Sequence, residues 1–191
     1  GIASQPLFTL ADVTVSRTGL GDVATYQGED LAAQLRLDGE LRLTADGILM
    51  HRQKLGSTAP GDAPAYVVDD FLTLLPVPQH AAEVFDYAGR WSNEAQPQRQ
   101  LLRQGSWLRE QRRGRTGPDS PLLLTVGTEG FGYRDGEVWG VHLGWSGDQR
   151  YLAQRLNTGT VVVGAGEILA AGEVVLGAGE SVTTPWTYGV W

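Results

Sequence analysis

Across residues 31–44 apolar and charged positions alternate. Leu35, Leu37, Leu41 and Leu43 fall on one side; Arg36, Asp38, Glu40 and Arg42 fall on the other. A period of two sends successive side chains to opposite faces of an extended chain, so this segment predicts a half-buried strand. Asp46-Gly47 follows, and such a pair supplies the positive φ that a tight hairpin turn needs. Residues 48–55 then form the return strand. Residues 56–64 read as a loop from their Gly, Ser and Pro content. Residues 66–75 read as a strand stopped by Pro76 and Pro78, because proline cannot donate to a ladder.

The stretch 79–115 breaks the alternation. It carries Trp91, Trp107 and seven arginines but few β-branched residues. Residues 80–88 are read as two helical turns and the remainder as a long excursion, which in a compact domain is usually functional or interfacial. Strand patterning returns at 121–127, an apolar run that suits a central strand. Residues 131–133 and 137–145 flank Asp135-Gly136 as a hairpin. Trp139, Val141, Leu143 and Trp145 face one way, and Val138, Gly140, His142 and Gly144 the other. Segments 151–156, 160–163, 172–176 and 181–186 bring the total to about ten strands. The expectation is an all-β fold of two antiparallel sheets with little helix.

Composition narrows the function. The chain has 191 residues, 41% of them hydrophobic, enough apolar surface to fold as one domain or two small ones. It carries no cysteine, which removes disulfides, thiolate metal sites and cysteine nucleophiles. A net charge of −7 disfavours nucleic acid, whose binding rests on cationic neutralisation of phosphates. No apolar run is long enough to span a membrane. Neither a basic n-region nor an apolar h-region marks the first residues, and the aromatic end Thr184–Trp191 reads as a strand leading into a further segment.

Most motif-like strings fail on inspection. Val163-Gly-Ala-Gly-Glu-Ile-Leu169 resembles a dinucleotide loop, yet Leu169 occupies the third small position and no long helix follows. Gly144-Trp-Ser-Gly147 is followed by Asp148 where a nucleophile elbow needs glycine. His51, His80 and His142 lack ligand spacing, so no metal is expected. Asp69 and Asp70 are adjacent and point to opposite faces of a strand, so they cannot act as a carboxylate pair. Two signals remain. Arg109-Glu-Gln-Arg-Arg-Gly-Arg115 holds four arginines in seven residues; it reads as a solvated loop or as a docking surface for carboxylates of another domain or subunit, with nucleic acid a third reading that the net charge disfavours. Trp91 and Trp107, in the irregular stretch, are candidates for an interface or a sugar edge, whereas Trp139 and Trp145 are read as core.

Taken in order, the segments Gly89-Arg-Trp-Ser92, Trp107-Leu-Arg-Glu110, Arg112-Arg-Gly-Arg-Thr116, Asp119-Ser-Pro-Leu-Leu-Leu124, Gly136-Glu-Val-Trp-Gly-Val-His142, Trp145-Ser-Gly147 and Thr184-Pro-Trp186 resemble the amino-terminal domain of bacterial family 36 glycoside hydrolases, the α-galactosidases. The likeness is strong across residues 71–186. It implies a galactose mutarotase-like β-supersandwich spanning residues 1–191 as a single domain. It also implies a longer cytoplasmic enzyme in which a (β/α)₈ barrel carries two aspartates for retaining hydrolysis of terminal α-galactosides such as melibiose and raffinose. This chain has no Lys-Trp-Asp stretch and no βα alternation, so no catalytic residue, metal or cofactor is expected within it. The implied partners are the barrel of its own polypeptide, the α-galactoside bound by the whole enzyme, and further copies in a homo-oligomer. Trp91, Trp107, Arg112, Arg113, Arg115 and Asp119 are the expected interface or sugar-proximal residues. One departure stands out: Pro118 occupies a place where the family often has His. Two other function classes fit the same fold. One is a freestanding carbohydrate-binding module. The other is a mutarotase-like epimerase, with His142 working beside Glu137 or Glu167.

Overall fold

The computed structural model describes residues 5–19, 21–118 and 123–191. Among them are sixteen strands and no helix: β1 (Thr9–Thr18), β2 (Gly21–Asp30), β3 (Leu35–Thr44), β4 (Leu49–Ser57), β5 (Tyr66–Val68), β6 (Thr73–Val77), β7 (Glu83–Arg90), β8 (Asn93–Leu101), β9 (Gly105–Gln111), β10 (Leu123–Gly127), β11 (Val138–Leu143), β12 (Gln149–Arg155), β13 (Val161–Glu167), β14 (Val174–Leu176), β15 (Ser181–Thr183) and β16 (Thr187–Val190). All named strand pairs are antiparallel. Two compact units emerge, one from residues 1–71 and 169–184, the other from 72–168 and 185–191.

In the first unit β1 to β4 form a meander, with β15 paired to β4 and β5 paired to β14. The leucine face read from the sequence closes the core at one end of this sheet. Leu35 and Leu55 pack with Val68 and Leu176, joined by Phe8, Leu37 and Tyr66. Asp46-Gly47 makes the β3–β4 turn, with Gly47 at φ +85°. Further along the same face the sheet turns polar. The Tyr26 ring lies where a Cβ at Gly39 would stand. Its hydroxyl accepts from Gln53 Nε2 (2.8 Å) and shares a 2.9 Å hydrogen bond with His51 Nε2. His51 is buried, and burial pulls its imidazole below the usual range.

In the second unit one sheet runs β16-β11-β10-β7-β8, and β12, β13 and β6 form another, with β9 alongside β12. Val84, Leu124, Val126, Val141 and Leu143 point inward from the first sheet; Tyr151, Ala153, Val163 and Ala165 are buried on the second. The Leu143 amide donates to the buried Tyr151 hydroxyl (3.1 Å), tying β11 to β12, and burial pushes that phenol up to about 12. Arg155 closes one end of the unit. Its guanidinium donates to the carbonyls of Leu102 (3.1 Å), Gln79 (3.0 Å) and Ala81 (2.5 Å).

The structure departs from the sequence pattern at several segments. Residues 80–88 are not helical, and the excursion 79–115 is ordered as β7, β8 and β9. The 66–75 strand is two strands, β5 and β6, and Pro76 lies inside β6. That is tolerated because β6 is an edge strand whose other side needs no donor. Residues 131–133 form no strand; β11 pairs instead with β10 and β16. Trp145 is 43% exposed and is not core.

Candidate functional site

The arginine-rich segment leaves β9 at Gln111 and is fastened at each step. Glu110 accepts from Arg112 Nε (2.7 Å) and from Arg150 Nε (2.8 Å). These guanidinium contacts hold the Glu110 carboxyl below the usual carboxylate range, and Arg112 is the leading cause. Gln111, itself buried, turns its Oε1 back to accept the Arg113 amide (3.0 Å). Gly114, at φ +70°, donates its amide to Asp148 Oδ1 (2.5 Å).

The far end of this segment meets the β7–β8 hairpin. A Cβ placed on Gly89 would lie 2.6 Å from the Asn93 carbonyl oxygen and 3.0 Å from that of Pro118. Only glycine permits that approach. The contact sets the arginine segment against the turn that carries Trp91, which is 87% exposed. Ser92, at φ +60°, completes the turn and donates its amide to Glu94 Oε1 (2.8 Å).

The Gly89–Pro118 approach sets the chain that follows Arg112, Arg113 and Arg115 beside the hairpin whose turn carries Trp91. Arg112, Arg113 and Arg115 are all exposed. Trp107 stands further back on β9, with the Arg109 guanidinium 5.7 Å from its ring centre. Arg109 in turn ion-pairs with Asp86 and donates to Gln98 Oε1 (3.0 Å). Asp86 is buried on β7, and burial raises its carboxyl above the usual range while Arg109 draws it partway back. Asp119 lies outside the described residues. Glu110, Gln111, Asp148 and Gly89 are the supporting residues that sequence reasoning missed. Glu110, inside the arginine cluster, was the available signal; Asp148, 34 positions beyond Gly114, gave none.

The epimerase reading places a carboxylate beside His142. The Glu137 carboxylate instead meets His80 Nε2 at 2.6 Å, and His142 packs near Tyr188 with ring centres 5.9 Å apart. Among the described residues no group of three His, Cys, Asp or Glu is placed to hold a metal ion. In the first unit the outer face of β2 to β4 forms a shallow polar groove, where Glu40 pairs with Arg42 (2.6 Å) and Arg52 (2.9 Å).

Residues 5–177 match the family model described as "Glycosyl hydrolase family 36 N-terminal domain". The chain is 38% identical over 188 residues to an α-galactosidase of Escherichia coli, covering 98% of this chain and 26% of that protein. It thus spans about a quarter of the length of this relative. Among solved structures it is similar to the family 36 α-galactosidases AgaB and AgaA of Geobacillus stearothermophilus. Their TM-scores are 0.85 and 0.84, at 15% and 16% identity, each over 98% of this chain and 28% of theirs. Fold, residue pattern and family match agree, and the chain belongs to the glycosyl hydrolase family 36 N-terminal domain family.

Proposed function

We propose that this chain is the non-catalytic N-terminal domain of an α-galactosidase. The full-length protein would hydrolyse terminal α-D-galactosides of the melibiose and raffinose type with retention, in the bacterial cytoplasm. The observation that carries the reading is the 38% identity along nearly the whole chain to a protein named an α-galactosidase, of which the match occupies 26%. Retention needs two carboxylates close together, one as nucleophile and one as acid/base. The groove carboxylates Asp38 and Glu40 are held by arginines, Asp38 by Arg36 and Glu40 by Arg42 and Arg52, and the catalytic pair is assigned to the remainder of the polypeptide.

The work of this domain is to pack on the catalytic barrel, shape one wall of its pocket and support an oligomer. Two surfaces of the second unit suit that role. One is the outer face of β10, β11 and β16. There Leu123 and Val190 approach over Gly140, whose added Cβ would lie 3.5 Å and 3.1 Å from them, and both stay more than 40% exposed. Apolar groups left together in water mark a contact surface. The other is the end bearing Trp91, Arg112, Arg113 and Arg115, with Trp107 and Asp119 as further candidates. The purified 191-residue chain is expected to show no turnover of an aryl α-galactoside. Turnover that co-purifies with the chain and is lost on its removal refutes the non-catalytic assignment.

A further inference from the structure

We infer that the 112–116 loop is a preset clamp that presents the Arg115 guanidinium to a carboxylate in the remainder of the longer polypeptide. The inference rests on the reading just given, that such a remainder exists. A merely solvated basic loop has no need of shape, yet this one is fixed on both sides. Glu110 holds Arg112, the buried Gln111 amide holds the backbone at Arg113, and Asp148 holds the backbone at Gly114. Pro118 is seated on Gly89.

These anchors divide the arginines by role. Arg112 is engaged inside the domain, ion-paired with Glu110, which it shares with Arg150. Arg115 is exposed and makes no hydrogen bond or ion pair among the described residues. The geometry spends protein groups on shaping the loop and leaves this guanidinium for an outside acceptor. A planar fork with parallel N–H groups matches a carboxylate. The net charge of −7 disfavours a polyphosphate partner. Trp91 on the adjoining turn adds the aromatic member of the pair of residue types that most often anchors an interface.

The composition provides a clean test, because Lys54 is the lone lysine of these 191 residues. The experiment uses the complete product of the reading frame. In a Lys54→Arg background, Arg115→Lys places a single side-chain amine at the clamp. Zero-length carbodiimide coupling followed by peptide mass spectrometry then identifies the carboxylate it touches. Arg112→Lys in the same background is the positive control and couples to Glu110. The expected result at position 115 is an amide to an Asp or Glu outside these 191 residues. Coupling only within the 191 residues, or no coupling while the Arg112→Lys control succeeds, overturns the inference. A reading frame that stops at Trp191 instead overturns the α-galactosidase reading beneath it.

Discussion

Replacing Arg109 with methionine removes the cationic partner of Asp86 while keeping most of the side chain's length. The Asp86 side chain is 7% exposed and that of Arg109 23%. Breaking a buried pair by deleting one partner costs about 3–5 kcal/mol, because a charge stays buried without compensation. Arg109 reaches water at its edge and also donates to Gln98, so the lower end, about 3 kcal/mol, is the expectation here. Burial already raises the Asp86 carboxyl, and Arg109 opposes that rise. Without Arg109 the carboxyl moves further up. A carboxylate raised by folding stabilises the fold only when protonated. The loss is therefore largest at neutral pH and shrinks as pH falls into the window just above the ordinary aspartate value of 3.8. All six tryptophans lie in the second unit, so tryptophan fluorescence, excited beyond the tyrosine band, reports on that unit alone during urea unfolding. The double variant Asp86→Leu/Arg109→Met removes both charges and is expected to recover most of the stability. A loss under about 0.5 kcal/mol for Arg109→Met, typical of an ordinary surface change, refutes the reasoning. So does a double variant no more stable than the single one.

Arg155→Lys leaves the part-buried carbonyls of Ala81 and Leu102, and the exposed one of Gln79, without the planar donor that joins them; a fluorescence-monitored loss of about 1–2 kcal/mol is expected. Gly89→Ala forces the hairpin away from the Pro118 carbonyl; amide exchange in β8 and in residues 112–118 should rise while that of β12 and β13 is unchanged. His51 folds with its imidazole below the ordinary value of 6.5, through burial, so the unfolded chain takes up the proton first and the first unit loses stability as pH falls below about 6.5. Amide exchange of β2 to β4 between pH 7.5 and 5 measures this, and His51→Gln should flatten the dependence.

The β3–β4 hairpin was legible because charged residues alternate with Leu35, Leu37, Leu41 and Leu43, broken on that face by Gly39 alone, and Asp46-Gly47 marks the turn. Strand β7 was not, because a buried Asp86 occupies a core position next to Val84 and its partner Arg109 is distant in sequence. Strand β8 escaped because every residue in Asn93–Leu101 is exposed. It has no buried face to impose a period and exists through main-chain pairing with β7. Strand β1 is exposed along its whole length for the same reason. At the candidate site the arginines and Trp91 could be picked out as residue types. Their assembly could not, because it depends on a glycine that admits the Pro118 carbonyl and on Asp148, which lies 34 positions beyond Gly114.

Under the proposed function this domain lends shape to a reaction carried out elsewhere in the polypeptide. Steady-state hydrolysis of an aryl α-galactoside, by the 191-residue chain and by the complete reading-frame product side by side, tests it most directly. Turnover is expected from the complete product and none from the chain. Equal turnover per molecule by both, or none by the complete product, would contradict it.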